Sequence, residues 1–242
     1  MSVKNNQIYN NIISLGFFCS VAQELDSLGL RNASYPFDWL ISDFSGVIAV
    51  IDNHFKDFLS YESLAQMKVN PKYYINTKYA LQFYHDFNAY DPLKKQLRGV
   101  QKKYSRRINR FYHNIEYPTL FVRYIQDMNE CKWIEENFDY ISKLLKSFNN
   151  NNEIVFIANN DITSEKLNLF LVEKDKDDTV ARKPFSKSDE LVSYFQNINY
   201  VNFDTSPLRT IRKRFIKLLR NWKQVLFRLK NKDDIYVHEK QI

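Results

Sequence analysis

Glycine is scarce in this chain, with four in 242 residues. That leaves no material for a Gly-rich phosphate loop and argues against a collagenous or loop-dominated protein. Cysteine is scarcer still. Cys19 and Cys131 show no metal-ligand spacing, and a pair so placed fits a reduced, cytoplasmic setting rather than a disulfide scaffold. No window approaches the roughly 18 uninterrupted apolar residues of a membrane span. The opening MSVKNNQIYNNIISLGFF has neither a signal-peptide apolar core of adequate length nor a small-residue cleavage site. A soluble protein, not exported by a cleaved signal, is expected. Acid is absent between Thr205 and Lys232, where ten Lys and Arg accumulate. Setting those ten aside turns a net charge of +7 into −3, so the basic balance belongs to one segment. Nucleic-acid binding by the body has no charge to rest on.

What is present is apolar and aromatic. Hydrophobic residues make up 44% and aromatics 16%, enough for one sizeable core, or a core plus an appendage. The stretch from Ser14 to Trp39 organises the rest. An apolar strand, Ile12 to Leu15, turns at Gly16 and enters a helix beginning at Cys19 and Ser20 and stopped by Gly29. Arg31 to Trp39 reads as extended, with Pro36 holding Tyr35 out of helical geometry. Ser42 or Asp43 caps a second helix, with helical spacing continuing through Phe55, Phe58 and Leu59. Tyr61 to Asp91 shows no sustained period and reads as irregular.

Beyond it an α/β rhythm takes over. A long basic helix is predicted from Pro92 to about Tyr112, a strand over Thr119–Tyr124, a helix from an Asn129 cap to Phe148, and a buried strand over Glu153–Ala158. Leu167–Glu173 reads as strand with helix as the alternative. Asp189–Gln196 reads as helix and Tyr200–Phe203 as a last strand. Together these predict an α/β fold with a short, mostly parallel sheet flanked by helices. The expected domain occupies 1–204, followed over 205–242 by a cationic amphipathic helix and tail.

A thiol at a helix N-terminus lies beside unpaired backbone N–H groups and the positive end of the dipole, which favours the thiolate. Cys19 is therefore the candidate nucleophile. Of four histidines, His54 and His113 fall in helix-like solvated stretches and His238 in the polar tail. His85, in the aromatic run Phe83–Phe87, is the candidate acid/base. The alternative is a small buried filler and a satisfied loop histidine. Backbone N–H groups at Cys19 and Ser20, reached through the Gly16 turn, offer an oxyanion site. Arg123, at the end of a strand, is either a contact for an anionic substrate or coenzyme phosphate, or an ordinary ion-paired arginine. Cys131 reads as structural, and no metal cage is indicated.

The run SLGFFCSVAQELDSLGLRNASYPFDW, with the later FYHDF and FVR, resembles a bacterial family named for papain-like cysteine peptidase activity. It also resembles, more distantly, capsular polysaccharide O-acetyltransferases that use a variant papain-like fold and coenzyme A. The first resemblance runs to about Ala158 and leaves out the basic tail. It implies a papain-like catalytic domain with Cys19 as nucleophile, His85 as base and Asp38 at the acidic position, Asp86 or Asp161 being alternatives. Departures from true papain-type proteases are evident. Ser20 rather than an aromatic follows the cysteine, Ile13 stands where the oxyanion glutamine would be, and no Asn-Ser-Trp motif follows the histidine.

Three functions are expected to compete. One is a thiol-dependent hydrolase acting through Cys19 and His85, with no required cofactor. Another is an O-acyltransferase taking an acyl group from acetyl-coenzyme A to a cell-surface glycan. The last is a non-catalytic, membrane-associated binding module. The tail helix, through Arg212, Arg214, Lys217 and Trp222, is expected to meet an anionic membrane at its cytoplasmic face, pack on the body, or dock on a partner.

Overall fold

In the computed structural model the described residues are 7–68, 70, 72–176 and 178–202. The chain divides into two units, 1–201 and 202–242, and the description below is of the first. The expected tail helix, with Arg212, Arg214, Lys217 and Trp222, lies outside the described residues.

The first unit is α/β, built on a parallel four-stranded sheet. Strand β1 (Asn11–Ser14) is followed by helix α1 (Cys19–Ser27), strand β2 (Leu40–Ser42) and helix α2 (Phe44–Asp52). Three short strands come next, β3 (Leu64–Gln66), β4 (Tyr74–Asn76) and β5 (Leu81–Phe83). The remainder is α3 (Leu93–Ile115), β6 (Thr119–Tyr124), α4 (Met128–Phe148), β7 (Glu153–Asn159), β8 (Leu169–Val172) and α5 (Asp189–Gln196). The parallel sheet has the order β1-β6-β7-β8. Its centre is β6, TLFVRY, in which all six residues are buried. Such a run, buried on both faces, forms only where helices cover both sides. They do. Ile13, Phe121, Phe156 and Ala158 face a core shared with α2, α3 and α4, while Ile12, Leu120, Val122 and Ile157 face one shared with α1 and α5.

A second sheet is antiparallel, in the order β2-β5-β4-β3. It overturns the reading of Tyr61–Asp91 as irregular, while the run expected to be extended, Arg31–Trp39, turns over 36–39 just before β2. Each of its strands has three residues, too few to display a period of two. Helix α2 also ends sooner than expected, because His54, Phe55 and Asp57 have φ near +59° and turn the chain out of helical geometry. Tyr200–Phe203 contributes an isolated parallel bridge from Tyr200 to Tyr9, and Phe203 is outside the described residues. The cap of α4 is Asp127, whose carboxylate accepts from the N–H groups of Asn129 and Glu130, rather than Asn129.

Helix α3 forms against its own charge. It carries eight Lys and Arg with no acid, including like-charge i,i+4 pairs 94–98, 98–102, 102–106, 103–107 and 106–110. Each such pair costs about 0.2–0.5 kcal/mol. Burial of one large apolar side chain stabilises by about 1.5–3 kcal/mol. The buried stripe of Leu97, Val100, Tyr104, Phe111 and Ile115 therefore decides the outcome.

Candidate active site

Cys19 is the first residue of α1 and lies just beyond the carboxyl end of β1. That edge of a parallel sheet is where open α/β folds bind ligands. The turn leading to it is held from several directions. Gly16 has φ +92°, and a Cβ there would lie 2.6 Å from Ser42 Oγ and 2.8 Å from Arg123 Nη1, so only glycine fits. Ser42 N–H donates to Phe17 O (2.9 Å), and Tyr124 N–H donates to Gly16 O (3.1 Å).

Beneath the turn sits Arg123, wholly buried. All five of its N–H donors are engaged: Nε and Nη2 on Glu130 (2.8 and 2.7 Å), Nη1 on Leu15 O (2.9 Å) and Ser42 Oγ (3.0 Å), and Nη2 also on Ser42 O (2.6 Å). It has no donor left for an anionic substrate or a coenzyme phosphate. The expected contact role is replaced by a structural one, fastening β1, β2 and α4 together under the thiol. Ser20 is likewise buried, and its hydroxyl donates to Arg182 O (2.6 Å), so its side chain anchors α1.

Sequence reasoning missed the neighbouring rim. Tyr124 OH donates to Asn159 Oδ1 and accepts from Ala181 N–H (3.0 Å), and Asn159 Nδ2 donates to Thr179 O (2.9 Å). This ties the carboxyl ends of β6 and β7 to the 179–182 segment gripped by Ser20. The polar end of β7 was the available signal.

The thiol itself departs from expectation. Cys19 is half-buried, and burial pushes its pKa up, only partly countered by its own backbone N–H. The helix terminus does not overcome desolvation, so burial works against the thiolate here. Cys131 is fully buried and its pKa is raised as well, by burial and by Glu135 and Glu130.

His85 is exposed and packs edge-on against Trp39 and Tyr84 (ring centroids 6.2 and 4.9 Å). Among the described residues it forms no hydrogen bond, and none joins it to Cys19 or Asp38. The register explains the separation. Leu40 pairs with Phe83 and Ser42 with Leu81, so Trp39 and His85 extend from one end of β2 while Phe17, beside the thiol, meets the other. Asp38 is fully buried at the His85 end. Its Oδ2 accepts from Arg31 Nη2 (2.5 Å) and Tyr35 N–H (2.8 Å), and its Oδ1 is buried without a hydrogen bond among the described residues. Burial raises its pKa more than Arg31 lowers it. Neither alternative acid faces the imidazole. Asp86 accepts from Lys103 and Tyr104 OH, and Asp161 pairs with Lys174 (2.5 Å).

A cleft of about 390 Å³ opens at the carboxyl end of β6, lined among others by Asp43, Phe44, Gln126, Asn129, Glu130 and Trp133. Among the described residues no cluster of three or more His, Cys, Asp or Glu could hold a metal ion, and no helix is long and apolar enough to cross a membrane.

Residues 10–162 match the model of the family described as "Putative papain-like cysteine peptidase (DUF1796)". The chain belongs to that family. The matched span takes in β1 through β7, and with them Cys19, Asp38, His85 and Arg123. An uncharacterized protein, R408, of Acanthamoeba polyphaga mimivirus is 28% identical over 163 residues, covering 59% of this chain and 73% of the viral one. No solved structure matches significantly. The family's description thus gives a reaction class, and the geometry of this member has to carry the rest.

Proposed function

We propose that the chain is a thiol-dependent acyl-transfer enzyme on a papain-like variant, with Cys19 as nucleophile. The observation that carries this reading is the half-buried but solvent-reachable thiol at the first position of α1, a helix without a side-chain cap. The first N–H groups of a helix have no intrahelical partner, so those of Cys19 and Ser20 can receive a developing oxyanion. The sulfur bonds to the acyl carbon, the leaving group departs with the thiol's proton, and water or a sugar hydroxyl then takes the acyl group as the C–S bond breaks.

A thiol whose ionisation burial opposes, with no imidazole hydrogen-bonded to it among the described residues, favours activated donors. A thioester exchanges with a thiol of similar basicity, whereas a peptide amide needs an acid held ready to protonate the departing nitrogen. This supports acyl transfer from a thioester such as acetyl-coenzyme A over proteolysis. His85 then enters as acid/base only with substrate bound. The indole of Trp133 and the amides of Gln126 and Asn129, in the cleft at the carboxyl end of β6, suit a glycan acceptor. A cytoplasmic enzyme at the inner membrane face accords with this reading.

The absence of a Cys19–His85 contact favours a second reading, a binding module in which Cys19 only fills space. Mass spectrometry after incubation with acetyl-coenzyme A separates the two. Acyl transfer predicts acetylation of Cys19 that is absent in Cys19→Ala and is discharged by hydroxylamine. An unmodified protein at saturating donor would leave the binding module.

A further inference from the structure

The outer face of α3 carries charge that nothing in the described molecule answers. Lys95, Arg98, Lys102 and Arg106 are all exposed. At 100° per residue they fall within about 80° of arc along roughly 16 Å of helix axis. None of these four side chains forms an ion pair or hydrogen bond with a described residue. The cations nearer the body differ: Lys103 is paired with Asp86, and Arg110 donates to Ser34 O (2.8 Å). With the eight cations of α3 and the ten of residues 205–232 set aside, the rest of the chain carries −11. The positive charge is gathered, not scattered.

Two further observations bear on what the face meets. The stripe weakens its own helix through repeated like-charge neighbours, where neutral side chains would serve a merely solvated surface better. Aromatic side chains flank its N-terminal end: Tyr90, 95% exposed, three residues before α3, and Tyr61, 46% exposed beside Lys94. Exposed tyrosines next to a row of cations fit the headgroup region of a bilayer. A straight row on a convex helix suits a planar surface, whereas a nucleic-acid strand calls for a groove that tracks its backbone.

We infer that the outer face of α3 docks the protein on an anionic phospholipid surface. This is independent of the thiol chemistry and of the tail. The test is co-sedimentation of the full chain with phosphatidylcholine vesicles containing or lacking about 30% phosphatidylserine, compared with Lys95→Gln/Arg98→Gln/Lys102→Gln/Arg106→Gln. The quadruple variant should partition about tenfold more weakly, or worse, onto anionic vesicles while its Tm rises, since repulsion has been removed. A structural role would move Tm the other way. Made in a chain already carrying Arg212→Gln/Arg214→Gln/Lys217→Gln, the four α3 changes should still weaken partition by the same factor. Unchanged partition of the quadruple variant, equal binding to neutral vesicles, a lowered Tm, or preferential binding of single-stranded RNA through the same four residues would each overturn it.

Discussion

Two arginine–carboxylate pairs stand toward opposite ends of β2, and they are built differently. Arg123 and Glu130, at the Cys19 end, satisfy every guanidinium donor and clamp the turn before the nucleophile. Arg31 and Asp38, at the His85 end, leave one buried carboxylate oxygen with no hydrogen bond among the described residues, where the imidazole outside them has ring contacts alone. The difference teaches where rigidity has been placed. The fold fixes the position of the sulfur and leaves the imidazole loosely held.

The sharpest way to break this comparison is Arg123→Ala, which strands the Glu130 carboxylate and the acceptors of Leu15 and Ser42. We expect a loss of about 3–5 kcal/mol in urea unfolding, the usual result of removing one partner of a buried pair. A loss under 1 kcal/mol would mean that the clamp is ornamental. Gly16→Ala comes next. It combines a left-handed backbone with collisions against Ser42 and Arg123, and should cost about 2–4 kcal/mol by the same measurement.

At the other end the expected effect is small. Asp38→Asn keeps an oxygen for Arg31 and Tyr35 and removes a charge that burial opposes, so its cost at pH 7 should be below about 1 kcal/mol. The sign with pH follows from the raised pKa. In the unfolded chain an aspartate titrates near 3.9. Asp38's contribution is fully present below that value and is lost as pH rises through its higher folded value. The parent should therefore lose stability relative to Asp38→Asn across that acid window. An opposite slope in paired urea titrations would show Arg31 outweighing burial.

How much of this was legible depended on run length. The β6 and β7 sequences, TLFVRY and EIVFIAN, are long enough to announce buried parallel strands, and the four-residue β8 was readable as a strand with helix as its rival. Strands β2 to β5 announce nothing, because three residues such as Tyr74-Ile75-Asn76 alternate in burial without forming a countable pattern. Cys19 at the start of α1 followed from Gly16 and the apolar strand before it. The upward push on its pKa did not, since desolvation depends on what the folded chain packs around the sulfur. Arg123, at a strand end, read as a contact for an anionic substrate or an ordinary ion-paired arginine, and no local signal tells that its partners come from residues 15, 42 and 130. The pairing of Leu40 with Phe83, which carries His85 away from the thiol, is a matter of register and is invisible in composition.

The most direct test is alkylation of the native protein by iodoacetamide, followed residue by residue across pH. Cys19 should react while Cys131 stays protected, and its rate should still be climbing above the ordinary thiol pKa of about 8.5. A rate already level at neutral pH would reveal a thiolate–imidazolium pair and contradict a sulfur whose ionisation burial opposes. Protection of Cys19 until the protein unfolds would remove the nucleophile altogether.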